Sequence, residues 1–257
     1  ADFHSYQPTV DDIASISKCD LFIYVGGESD DWVKSALDNV INKDMIVINL
    51  LEVLGDKAKE EQLVEGMQAE SEEEDNEDVE YDEHVWLSLK NAQIFVNEIA
   101  SALGKIDKEN TSLYLENAAS YNAKLSNLDA QFEQVVKNSN RDTILFGDRF
   151  PFLYLVEDYG LKYFAAFLGC SAETEASFET MAFLIDKTNE LDLDVILIIE
   201  SSDGSIAKTI KENSNKKNQQ ILVMDSLQSA TVKEYNSGRT YLKVMQNNLE
   251  VLAEALK

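Results

Sequence analysis

Lys108–Lys137 reads KENTSLYLENAASYNAKLSNLDAQFEQVVK, a stretch of 30 residues with neither glycine nor proline. Leu113, Leu115, Ala118, Tyr121, Leu125, Leu128 and Phe132 place apolar side chains along it at helical spacing. Asp107, with Asn110 three residues on, supplies an N-terminal cap. The pattern predicts a single helix roughly 45 Å long at 1.5 Å per residue. The chain on either side is different in kind. Before the helix lie the short apolar runs Leu21–Val25 (LFIYV) and Met45–Leu50 (MIVINL). After it lie Thr143–Phe146 (TILF), Tyr163–Leu168 (YFAAFL), Val195–Ile199 (VILII) and Ile221–Met224 (ILVM). Near-continuous apolar character over so few residues is the signature of strands covered on both faces of a parallel sheet.

Amphipathic segments follow the strands. Ala172–Leu191 carries Phe178, Met181, Leu184 and Ile185 at helical spacing, and Tyr241–Leu256 carries Leu242, Met245, Leu249, Leu252 and Leu256. Strands alternating with helices give βα units. The reading is an α/β fold of two parallel-sheet lobes bridged by one long helix, with a cleft between the lobes. Its parts are an N-terminal lobe over 1–107, the bridging helix over 108–138 and a C-terminal lobe over 139–257.

The charge narrows the function. Asp and Glu number 48 against 22 Lys and Arg, a net charge of −26 over 257 residues. Phosphate-backbone binding draws its affinity from Lys and Arg, so a nucleic-acid partner is excluded on this reading. Docking on an anionic membrane is excluded in the same way. No apolar run approaches the 18 or more residues needed to span a bilayer. A cation is the compatible partner. Ten of the negative charges fall in Ala69–Glu83 (AESEEEDNEDVEYDE), which has no basic residue. Such a run repels itself too strongly to pack and reads as a loop, either a solubilising insertion or an antenna for divalent ions through Glu72, Glu73, Glu74, Asp75, Glu77 and Asp78. The two cysteines, Cys19 and Cys170, fit no metal or redox spacing and read as buried thiols.

Chemistry is sparse and therefore informative. The chain has two histidines, His4 in DFHSYQPT and His84 in DEHVWLSLKNA, the latter directly after the acidic run. In open α/β sheets ligands bind beyond the carboxyl ends of the strands. Three strands of the second lobe run into carboxylates there: Asp148 after TILF, Glu200 after VILII, and Asp225 after ILVM. Each could be a helix cap. Taken with two histidines, they make a competent set for a first-row divalent cation. Motifs of hydrolases, P-loops and dinucleotide sites are absent, and Gly26-Gly27 is a turn too short to cradle phosphate. An enzyme is not expected.

These segments, in this order, resemble the cluster A-I metal-binding lipoproteins, the zinc- and manganese-binding solute-binding proteins of ABC transporters. The resemblance rests on His4 to Pro8, the strand and Gly turn Leu21 to Gly27, the acidic loop 69–83, and Asp82 to Ala92. It continues through the long helix, FGDRFPFLYLVEDYGL, SAETEASFET and MDSL. It implies a monomeric, extracytoplasmic protein, a surface lipoprotein or periplasmic, that captures a divalent metal and delivers it to an ABC permease. It implies zinc as cargo, with manganese next. The implied ligands are His4, His84, Asp148 in place of the family's His or Glu, and Asp225, with Glu200 as a further cleft residue and Glu173 and Glu175 at a helix start. The family carries about one more βα unit before its first histidine, so the resemblance also implies an N-terminal lobe short by that unit. The competing expectation is a metal-independent adhesin or interaction module on the same fold.

Overall fold

Thr9 opens the first helix by a reciprocal cap: its hydroxyl accepts from the Asp12 N–H while the Asp12 carboxylate accepts from the Thr9 N–H. This is α1 (Val10–Ile16), followed by β1 (Leu21–Tyr24), α2 (Asp31–Leu37), β2 (Ile46–Asn49) and α3 (Leu50–Leu54). The computed structural model describes residues 3–69, 80–171, 173 and 175–257. β1 and β2 pair in parallel, Leu21 opposite Ile46 and Tyr24 opposite Asn49. The Asn49 side chain then caps α3 by accepting from the Glu52 N–H.

The long helix expected between the lobes is present, and a second helix pairs with it in a hairpin. α4 (Leu89–Ile106) and α5 (Thr111–Asn138) are joined by a 3-10 turn, Lys108–Asn110. The expected helix start at Asp107 is replaced by this turn. The Asp107 carboxylate accepts from Asn110 Nδ2 at 2.8 Å and from the Tyr114 hydroxyl at 2.9 Å instead of capping a backbone N–H. The Thr111 hydroxyl donates to the Gly104 carbonyl at 3.0 Å, and a Cβ on Gly104 would lie 2.9 Å from Thr111 Cγ2. Glycine thus lets the two helices meet where the chain reverses. α5 has 28 residues, about 42 Å of helix. It runs along α4 through Asn122 to Asn97 and Ser126 to Gln93. Leu125, Leu128 and Phe132 then bury in the core of the second lobe, with Phe132 stacked on Tyr159.

That lobe comprises β3 (Thr143–Phe150), α6 (Leu153–Tyr159), β4 (Lys162–Leu168), α7 (Phe178–Glu190), β5 (Val195–Ile199), α8 (Ser205–Asn213), β6 (Gln220–Met224), α9 (Val232–Asn236) and α10 (Tyr241–Ala255). The strands are all parallel, in the order β4-β3-β5-β6. β5 shows why its sequence carries no polar residue. Val195, Leu197 and Ile199 enter one core cluster with α5 and α10, while Ile196 and Ile198 enter another with α7 and α8.

Two boundaries differ from the sequence expectation. β3 does not stop at Phe146 but runs on to Phe150, with its register to β4 shifted between Phe146 and Arg149. Gly147 makes this possible: a Cβ there would sit 2.7 Å from the Ala207 Cα of α8. α7 starts at Phe178 rather than Ala172, because the Ser177 hydroxyl caps it by accepting from the Thr180 N–H.

Three side chains tie the lobes together around the second histidine. Tyr154 of α6 donates to the Asp82 carbonyl and accepts from the Lys59 N–H, both at 3.0 Å. Trp86 Nε1 donates to the Ser226 carbonyl at 2.9 Å, and the Tyr241 hydroxyl donates to the Trp86 carbonyl at 2.7 Å. No helix among the described residues is long and apolar enough to cross a membrane.

Candidate metal centre

His4 lies on a 3-10 turn, Phe3–Ser5, anchored by the Phe3 N–H donating to the Gln228 carbonyl at 3.0 Å and by Phe3 packing edge-on against Trp86. His84 precedes another 3-10 turn, Val85–Leu87, and is completely buried. The two rings approach with centroids 5.0 Å apart and Nε2 atoms 3.0 Å apart. Cys170, two residues past β4, completes a group whose donor atoms all lie within 4.8 Å of one another. Gly169 provides the clearance, since a Cβ there would be 2.8 Å from His84 Cε1.

Both imidazoles are held by their other nitrogen. His84 Nδ1 faces Asp82 Oδ1 at 3.2 Å, and the same oxygen accepts from the His84 N–H at 2.9 Å. His4 Nδ1 is 2.8 Å from Ser29 Oγ and 3.4 Å from Glu83 Oε2. A carboxylate only accepts, so the Asp82 contact places the His84 proton on Nδ1 and leaves Nε2 with its lone pair, and the Glu83 carboxylate beside His4 Nδ1 favours the same tautomer there. Carboxylates that orient histidines in this way are the usual support of a metal site.

Glu83 is itself fixed. Its Oε1 accepts from the Ser29 N–H at 2.9 Å, in space that exists because a Cβ on Gly27 would fall 2.3 Å from that oxygen. The Gly26-Gly27 turn that follows β1, read from the sequence as a simple turn, is shaped for this carboxylate. Burial pushes the Glu83 carboxyl up, but hydrogen bonds from His4 and Ser29 outweigh it and leave it below the ordinary range. Burial, reinforced by the Glu61, Asp82 and Glu83 carboxylates, pushes the Cys170 thiol far up. A coordinated cation inverts that logic and takes the thiolate. Outside the cluster opens a cleft of about 600 Å³, lined by His4 and Cys170 together with Glu28, Glu61, Glu80 and Glu83.

Zinc bonds to nitrogen near 2.0–2.1 Å and to sulfur near 2.3 Å place tetrahedral donors about 3.3–3.7 Å apart. Two Nε2 atoms at 3.0 Å with a thiol alongside fit such an ion with small adjustment.

The carboxylates named from the sequence are not brought to this cluster. Asp148 lies inside the extended β3, where its Oδ1 accepts from the Arg149 N–H at 2.8 Å and its Oδ2 from the Ile199 N–H at 3.4 Å. It lines a separate cleft with Glu173, Ser201 and Asp203. Both Asp225 oxygens are 2.8 Å from Arg239 Nη2, and Oδ1 also accepts from the Leu227 N–H. Glu200 accepts from the Ser226 N–H and hydroxyl. Glu72, Glu73, Glu74, Asp75, Glu77 and Asp78 lie outside the described residues. Cys170, set aside as a buried thiol, carries the same signal that drew attention to the three acids: it follows the carboxyl end of a strand of this sheet.

Fold and centre together define a two-lobed binding protein of the metal-carrying kind, and comparison with known proteins agrees. The profile of the family described as zinc-uptake complex component A, periplasmic (ZnuA) matches residues 1–255. The chain is 30% identical over 257 residues to the high-affinity zinc uptake system protein ZnuA of Bacillus subtilis, covering 98% of this chain and 77% of that one. It is 27% identical to the zinc-binding lipoprotein AdcA of Streptococcus pneumoniae, spanning about half (48%) of that protein's length. The crystal structure of the Zn(II)-bound ZnuA-like domain of S. pneumoniae AdcA superposes with a TM-score of 0.76 at 26% identity, covering 100% of this chain and 87% of that one. The chain belongs to the ZnuA family. This is a family of solute-binding transport components, not of enzymes.

Proposed function

We propose that this chain captures zinc outside the cytoplasm and hands it to an ABC permease. The ion is held by His4 Nε2, His84 Nε2 and Cys170 Sγ. The observation that carries the reading is the pair of Nε2 atoms 3.0 Å apart, each ring with a carboxylate behind it, with a thiol in reach. Imidazole and thiolate suit zinc, whereas manganese prefers oxygen donors, so zinc is the cargo and manganese the weaker competitor. The acidic cleft in front of the site raises the local concentration of cations. Asp148 and Asp225 are left out of this donor set because their oxygens are engaged within the C-terminal lobe.

The test is calorimetric titration of the chelator-stripped chain with zinc and with manganese. Saturable zinc binding at one ion per chain, lost in His84→Ala and weakened in Cys170→Ser, is expected. Absence of saturable zinc binding by the parent chain would overturn the reading and favour a metal-independent interaction module.

A further inference from the structure

Gln228 occupies an unusual position in the loop after β6. It is 5% exposed, and Leu227 before it has φ 59°, the left-handed region that a leucine rarely adopts. Strain of this kind is stored where a side chain must be aimed. Gln228 is aimed at both histidines. Its side-chain nitrogen lies 3.3 Å from His4 Nε2 and in close contact with His84 Nε2, while its own carbonyl accepts from Phe3 beside His4. Its other amide atom, Oε1, is buried without a hydrogen-bond partner.

These facts fit one chemical picture. Two imidazole lone pairs facing each other repel unless a donor or a cation stands by them. The NH2 of Gln228 carries two protons and serves two acceptors, so it stands in for a cation. The cost of that arrangement is the orphaned oxygen. We propose that Gln228 is a two-state keeper of the cargo site. Without metal its NH2 caps the two Nε2 atoms. When zinc takes their lone pairs, a half-turn of the amide brings Oε1 to the ion as the fourth donor. Nitrogen and oxygen of the amide are nearly isosteric, so the exchange needs no backbone movement. The donor set of two imidazoles, a thiolate and an amide oxygen then closes the coordination from the C-terminal lobe. The fourth ligand is neutral, which favours release over a carboxylate in the same place. The inference rests on the zinc reading above.

The test measures zinc affinity of the chelator-stripped full chain by competition with a chromophoric chelator, together with the release rate. Gln228→Ala and Gln228→Glu are compared with the parent and with His84→Ala. Gln228→Ala is expected to lose about ten- to a hundredfold in affinity, the scale of a lost supporting group at a metal site. Gln228→Glu is expected to bind more tightly than the parent and release more slowly. In the ¹⁵N-labelled parent, the side-chain NH2 signals of Gln228 are expected to shift on zinc saturation. This readout needs no variant to fold. Unmoved amide signals, or Gln228→Ala binding within twofold of a parent that binds zinc, would overturn the proposal and leave the zinc reading standing. A parent that binds no zinc would overturn both.

Discussion

At the scale of single residues the site is organised from behind. Asp82 faces the far nitrogen of His84, and Ser29 and Glu83 that of His4, which turns Nε2 of each ring toward the other. Asp82→Asn keeps an oxygen for the His84 N–H but removes the charge that fixes the Nδ1 proton. We expect zinc affinity to fall about ten- to a hundredfold with little change in folded structure, read by competition titration and circular dichroism. An unchanged affinity would mean that the carboxylate only caps the turn. The histidines were legible in the sequence because there are two of them and both stand in distinctive segments. Cys170 and Gln228 were not. A cysteine beside an apolar strand and a glutamine in a loop have common bland roles, and only the packing of β4 and the post-β6 loop against His84 brings them to the histidines.

At the scale of elements the decisive feature is β3. Read as ending at Phe146, it set Asp148 at the ligand edge. Continued through the shifted register to Phe150, it turns that carboxylate toward the Ile199 amide. The length of β3 depends on Gly147, so Gly147→Ala forces a methyl against the α8 backbone. A loss of about 1–3 kcal/mol in urea unfolding is expected, with zinc binding retained. The post-β6 loop has an analogous internal brace in Asp225–Arg239. Asp225→Ala is expected to lower stability by about 1–3 kcal/mol while zinc affinity stays near the parent value. A loss of zinc binding as large as that of His84→Ala would restore Asp225 as a ligand. Apolar run lengths sufficed to find the strands and α10. They placed the start of the long helix within three residues but not the 3-10 turn at Lys108–Asn110, which run lengths do not encode and which the Thr111–Gly104 hydrogen bond accompanies.

At the scale of the whole molecule, the first lobe supplies both histidines and the second supplies Cys170 and the Gln228 loop. Tyr154, Trp86 and Tyr241 bind the two together immediately around His84. An ion held there would therefore couple metal binding to global stability. A ligand held only by the folded chain stabilises it by about 2.7 kcal/mol at a hundredfold excess over its Kd. For a chain of this size that is a rise of about 5–11 °C in Tm. Thermal scans with and without zinc should show it, and the shift should vanish in His84→Ala. The net charge of −26 was read from the outset as suited to a cation, and the cleft of Glu28, Glu61, Glu80 and Glu83 gives part of that charge a location at the mouth of the site.

On the proposed function the cargo ion sits between two imidazoles and a thiolate. Zinc K-edge X-ray absorption on the loaded full chain measures this directly. Two imidazole nitrogens at about 2.0–2.1 Å and one sulfur at about 2.3 Å are expected, with the sulfur signal absent in Cys170→Ser. A first shell of nitrogen and oxygen alone in the parent protein would contradict it.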